Sequence, residues 1–459
     1  MNMTKLLLAG TLFALLACSA AGELYAQARP SGEAIFRHHW SPNDGRAANG
    51  DGLGPLFNGT SCLQCHDQGG AGGGGSIQQN IDFVSNATNS FRATQELVDF
   101  HPGFLNDDGS PRSSIILHRF GLDYDYSRKR KELTGVDLTQ GAENINPHQA
   151  IRDIQLNPVQ QIESGSRIQL RRSQRNSTAL FGAGLINQIP DDVILERALG
   201  QRGDISGRPA VVGEGDAIQL GRFGWRGQTA SIDDFVMDAC AMELGLEVHA
   251  REQTPDPRKP RYRPPGVDLT AEEVQALTQF VKGLPQPRQI MPDDPAARKR
   301  VNEGEGHFVS VGCAACHGPK MGDVNGLYSD LLLHDMGPAL ADPVPATAGV
   351  ELPILVSTLS RGRVELPRPS SGSYGGGGGP MFASAAGTTL VQEWRTPPLW
   401  GVADSAPYMH DGRAATLVEA IALHGGEAQP STAAYFNSSL EDRLKLIEFL
   451  QTLRAPSRD

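Results

Sequence analysis

The sequence predicts a mainly α, loop-rich fold built as two similar halves, with small β insertions in the N-terminal half. Three observations carry this prediction: a Cys-x-x-Cys-His motif that occurs twice, an amphipathic helix that follows each copy, and a gap-free likeness between residues 225–239 and 410–424.

Taken in chain order, the 459 residues divide into an export segment at 1–28, an N-terminal half at 29–290 that carries insertions, and a C-terminal half at 291–459. In the first segment Lys5 precedes "LLLAGTLFALLA", an apolar run too short to span a bilayer. Two exits follow. "LLAC", ending at Cys18, suits lipoprotein cleavage, whereas "AQA", ending at Ala28, suits ordinary signal peptidase but lies far from the apolar run. Either exit puts the mature chain outside the cytoplasm, free in the periplasm or, by the lipoprotein exit, attached to the outer membrane through a lipid anchor alone. With 39% hydrophobic and 20% charged residues, the rest has the composition of a soluble globular protein. A net charge of −11 and the lack of a basic stripe argue against nucleic acid as a partner.

An exported chain ordinarily uses its cysteines in disulfides. Here Cys62 and Cys65 belong to "CLQCH", Cys313 and Cys316 to "CAACH", Cys18 to the export segment, and Cys240 stands alone. Two cysteines three apart followed by histidine are the attachment pattern of c-type haem: the thiols form thioethers and the adjacent histidine is set under the iron. Two covalently bound haems are therefore expected, with His66 and His317 as proximal ligands. A zinc site or a redox dithiol explains one such motif but not two complete copies.

Residues 267–284 are expected to form an amphipathic helix with Val274, Leu277 and Val281 inward, and 438–453 a second with Leu440, Leu444, Ile447 and Leu450 inward. Each opens on a capping box, Thr270 with Glu273 and Ser438 with Glu441. A helix closing on the haem is the expected end of a cytochrome c-like domain. In the gap-free alignment Gly227 meets Gly412, Ser231 meets Thr416 and Asp234 meets Glu419, so both segments start a helix at the same place. "STALFG" and "TPPLWG" extend the likeness upstream. "AIQLGRFGW" reads as a strand or hairpin arm, residues 369–380 as a flexible glycine loop, and 285–295 as the linker between the halves.

The repeat also addresses the far side of each iron. His424 ends the second aligned helix and is the expected sixth ligand of the second haem, with Met409 as its rival. Its counterpart in the first half is Ala239, which cannot bind iron. One turn further lies Glu243, a carboxylate suited to moving a proton between the oxygens of a bound peroxide. Trp225 opens the first aligned segment and is the candidate for carrying an electron hole between two irons. Asp330, His334 and His410 are candidates for orienting haem propionates or ligands, and Cys240 receives no role.

The stretches "DGLGPLFNGTSCLQCH", "GRFGWRGQTASIDDFV", "LLLHDMGPALAD" and "EWRTPPLWGVADSAPYMHDGRAATLVEAI" resemble the di-haem oxidoreductase family of the bacterial di-haem cytochrome c peroxidase superfamily. The resemblance covers nearly all of the mature chain. It implies two cytochrome c-like domains, a reactive haem at Cys62, Cys65 and His66, and an electron-supplying haem at Cys313, Cys316 and His317. It further implies Trp225 as the inter-haem tryptophan, Glu243 as the catalytic glutamate, and a calcium ion between the domains, for which the sequence fixes no ligand run. His424 departs from the methionine of typical peroxidases, and the glycines after "CLQCH" replace a histidine that many of them carry there. The implied activity is reduction of hydrogen peroxide or another small oxidant with electrons from a small periplasmic donor protein. An oxygenase or protein-modifying oxidase using the same site, and a non-enzymatic di-haem electron carrier, are the competing readings.

Overall fold

In each half the helix before the motif crosses the helix that closes the half, and a glycine lets the two backbones touch. The computed structural model describes residues 31–86, 94–105, 114–136, 138, 145–162, 168–201, 203–213, 218–256, 259, 261–342 and 390–456. Helix Gly32–Arg37 meets helix Ala271–Lys282, and helix Pro295–Ser310 meets helix Leu440–Gln451. A Cβ on Gly32 would fall 2.0 Å from the Ala276 carbonyl oxygen, and one on Gly304 would fall 2.0 Å from that of Lys445. Four residues beyond each glycine an aromatic pair follows, Phe36 on Phe280 at 5.2 Å and Phe308 on Phe449 at 5.5 Å between ring centroids. The repeat is therefore held in the helix crossing, with the same register in both halves.

It is equally visible in the aligned segments. Phe223 bridges Thr229 as Tyr408 bridges Ala414, and Gly227 and Gly412 both take left-handed backbone, at φ +62° and +74°. Ser231 accepts from the Asp234 amide at 3.1 Å and Thr416 from the Glu419 amide at 3.2 Å, which starts helices Ile232–Glu243 and Leu417–Ala422 at equivalent residues. The first helix runs on to Glu243. The second stops two residues short of His424.

Val274, Leu277 and Val281 are buried, and the Thr270–Glu273 capping box forms as expected. The closing helix of the second half differs from expectation. Its cap is Ser439 with Asp442, not Ser438 with Glu441, and Leu440 and Leu444 are 63% and 49% exposed. Leu450 is buried as expected, and Leu446 and Phe449 are buried in place of Leu440 and Leu444. The face was chosen by the crossing at Gly304, which admits the backbone at Lys445 and turns the 446/449/450 side inward. Lys445 itself reaches out to Glu303 and Glu441, each at 2.8 Å.

The insertions of the N-terminal half include an antiparallel sheet in the order Ser114–Leu117, Ile81–Asn86, Leu170–Arg175, Gln160–Ile162. It has its own core, including Val84, Phe104, Leu117 and Leu170. The segment Gln219–Gly221 is the hairpin arm expected, paired with Ala210–Val212. Strands are not confined to this half, contrary to expectation. Leu333–Asp335 pairs with Glu393–Arg395, and Arg288–Gln289, in the expected linker, pairs with Leu453–Arg454 near the end of the chain. The fold is thus mixed: helices around the motifs, with small sheets in both halves. The largest apolar core also joins them, because Met321, Leu327, Leu331, Leu332 and Trp400 share it with Ile35, Ile194 and Leu277. Residues 1–28 and the glycine loop at 369–380 lie outside the described residues. Among those described, no helix is long and apolar enough to cross a membrane.

Candidate functional site

Ser61 caps a single helical turn, Cys62–Cys65, by accepting the Gln64 amide at 3.2 Å, and His66 follows as its last cap. His66 Nδ1–H donates to the Gly73 carbonyl at 3.1 Å, and the ring is also hydrogen-bonded to the Thr178 backbone. Burial holds its pKa below the ordinary value, keeping the ring neutral. The glycine run that follows this motif is a built turn. Gly72 donates to the His66 carbonyl at 2.9 Å and Gly75 to that of Ser177 at 3.0 Å, while Gly69 and Gly72 require positive φ. A Cβ on Gly73 would fall 1.7 Å from the Gln68 carbonyl oxygen. Glycine is needed there to bring the carbonyl onto the imidazole.

Glu243 closes helix Ile232–Glu243 and is buried beside this motif. Burial pushes its pKa up to about 7, and its charge acts on the Cys65 thiol, itself pushed up to about 12 chiefly by burial. Asn58, which sequence reasoning missed, clamps it. Its backbone N–H donates to the Glu243 carbonyl at 2.7 Å, its Nδ2 donates to Glu243 Oε2 at 2.6 Å, and its own Oδ1 accepts the Arg119 amide at 2.9 Å. The available signal was position: Asn58 stands four residues before Cys62 in "FNGTSC". Ala239 lies on the same helix one turn back and offers no donor atom.

At the second motif Gly312, with φ +96°, starts the 3₁₀ turn Cys313–Ala315. His317 Nδ1–H donates to the Tyr328 carbonyl at 2.9 Å, and burial, with the nearby His424, lowers its pKa to about 4. His424 Nδ1–H donates to the Ala420 carbonyl at 2.7 Å, so both rings keep Nε2 free. Their centroids are 6.4 Å apart. One metal ion bound at ~2 Å by a nitrogen of each ring would put the centroids roughly 6 Å apart. The two histidines and both cysteines line one cavity, and Met409 lines it too, on left-handed backbone at φ +72°. The ring contact of His317 is with His424.

Trp225 and Asn176 line the same cavity. Trp225 donates Nε1–H to the Asn176 carbonyl at 2.8 Å, and Asn176 Nδ2 in turn donates to the Gly75 carbonyl at 2.9 Å, so one hydrogen-bonded path joins the glycine turn to the second cavity. His410 packs edge-on to Trp225 at 6.5 Å and is stacked on Trp394 at 3.7 Å. His334 is held between two carboxylates, Asp330 at 3.0 Å on Nε2 and Glu427 at 2.7 Å on Nδ1. Those partners outweigh burial and raise its pKa, so it is an imidazolium. Cys316, Asp330 and His334 have the spacing of a cation site, but an imidazolium has no lone pair to give. Cys240 is core.

Each motif thus presents two free thiols and a histidine whose Nδ1 is tied to a backbone carbonyl, and the second sets another such histidine opposite. That donor set fits haem iron. Residues 382–453 match the family described as "Di-haem oxidoreductase, putative peroxidase". The chain is 29% identical over 192 residues to the methylamine utilization protein MauG of Methylorubrum extorquens, a match that takes in 39% of this chain and 43% of that protein, less than half its length. Solved structures with some likeness include a Kuenenia stuttgartiensis hydrazine synthase pressurized with xenon, at 18% identity, TM-score 0.31, and 61% and 73% coverage of this chain and that one. A MauG-like protein associated with microbial copper homeostasis matches at 15% identity, TM-score 0.28, and 58% and 90% coverage.

Proposed function

We propose that the chain is an exported di-haem c-type oxidoreductase that reduces hydrogen peroxide at the N-terminal site, with electrons from a small donor protein entering at the C-terminal one. The division at 290/291 into two cytochrome c-like domains is part of this reading. Cys62 and Cys65, and Cys313 and Cys316, would hold the haems as thioethers, and His66, His317 and, at the second site, His424 would supply nitrogens to the irons. Bound haem iron supplies one-electron chemistry and, where a face is open, a binding place for a peroxide oxygen.

The residues of the chain do the rest. Glu243 takes a proton from one oxygen of the substrate and returns it to the other, a task suited to a group whose pKa lies near neutrality. Asn58 holds one carboxylate oxygen and thereby directs the other. His424 closes the second site to exogenous ligands, and Ala239 leaves the first open. Trp225, an oxidisable indole tied by Asn176 to the glycine turn, is the aromatic waypoint between the halves.

The observation that carries the reading is the buried Glu243, poised near neutral pH beside a motif whose histidine has no histidine opposite it among the described residues. Its test is the reaction of the ferric protein with one equivalent of peroxide. Glu243→Gln is expected to slow the spectral change by about a hundredfold or more. An unchanged rate would sink the proposal.

A further inference from the structure

A second cavity, of about 390 Å³, lies between the inserted sheet and helices Tyr124–Thr134 and Pro147–Leu156. Three arginines line it, Arg119, Arg130 and Arg172, each at least nine-tenths buried. Asp82 is the buried carboxylate among them. It takes Arg130 Nη2 and, at 2.7 Å, Arg172 Nε. Arg172 Nη1 is also used, on Gln160 Oε1 at 2.8 Å.

Three further nitrogens of this cluster are orphaned. Arg130 Nη1 has no partner among the described residues, and neither Nε nor Nη2 of Arg119 has one. Nε and Nη2 form the edge of guanidinium that meets a carboxylate or phosphate with two parallel bonds. Three buried cations against one anion, with three N–H groups unspent, is an arrangement that proteins do not keep without compensation. Burial already lowers the Arg119 pKa to about 10. The space is sufficient for a small organic acid.

We propose that this cavity binds a small oxyanion of two or more negative charges, of the dicarboxylate or phosphate class. Arg119 grips it along its open edge and Arg130 through Nη1. The site is distinct from the place of Glu243, but Arg119 links them: its backbone N–H is bonded to Asn58 Oδ1, and its Nη1 donates at 3.3 Å to Gln79 Oε1, which the Cys65 thiol approaches at 4.0 Å. An occupied cavity therefore bears on the N-terminal motif through fixed groups.

The test is calorimetric titration of the full-length holo-protein with malonate and, separately, with inorganic phosphate. One saturable site for at least one of them is expected, weakening with added salt. Arg130→Gln should weaken it about tenfold or more, as losing a charge-assisted hydrogen bond does. Because that variant leaves Asp82 short of a partner, Gln160→Glu is the second: it keeps the acceptor for Arg172, adds a negative charge to the wall, and should weaken binding comparably. Binding unchanged in both variants places the anion elsewhere and overturns the proposal. Absence of binding to the wild-type protein overturns it as well; if Arg119→Gln then shifts the haem midpoint potential, the open edge belongs to the carboxylates of the haem itself.

Discussion

Glu243 is a carboxyl group kept away from water by its own fold, and its pKa of about 7 has consequences for stability as well as chemistry. The folded state binds its proton more tightly than the unfolded state, so its contribution is intact below about pH 4.5 and is lost as pH rises through 7. The full difference is about 3 kcal/mol. Glu243→Gln, which keeps an acceptor for Asn58, is therefore expected to match the wild-type Tm near pH 4.5 and exceed it near pH 8, by thermal unfolding at both. Asn58→Ala removes the bond that favours the carboxylate, and the pH at which peroxide reactivity rises should move upward from neutrality. Glu243 was legible in the sequence because the repeat fixes the register of its helix. Asn58 was not, since it reaches Glu243 from 185 residues earlier in the chain.

At the scale of elements, the duplication was read from caps and glycines, and its strongest expression is the pair of helix crossings. Gly32 and Gly304 carry no sequence pattern that distinguishes them from other glycines; only the approach of Ala276 and Lys445 does. Alanine at either position drives a methyl group into a backbone oxygen. Gly304→Ala is expected to cost about 1–3 kcal/mol in denaturant unfolding, as overpacking does. The exposed Gly306, with open space around it, should tolerate alanine. The misread face of helix Leu440–Gln451 has the same origin. Leu440, Leu444 and Ile447 make a respectable stripe, but burial follows the crossing.

For the whole molecule, composition and motifs give two halves, whereas packing gives a shared core and a separate sheet. Met321, Leu331 and Leu332 complete an apolar cluster whose other members come mostly from residues before 290. Such contacts join positions far apart in sequence, which local patterns do not encode. The fragment 29–290 is accordingly expected to bind a hydrophobic dye strongly, and the full chain not.

The central claim is an asymmetry: a histidine faces His317, whereas beside the motif of His66 lies a carboxylate with, among the described residues, no histidine ring facing His66. Electron paramagnetic resonance of the ferric holo-protein tests it most directly. One high-spin haem that cyanide converts, together with one low-spin haem that ignores cyanide and turns high-spin on His424→Ala, is the predicted result. Two low-spin haems, both indifferent to cyanide, would contradict it.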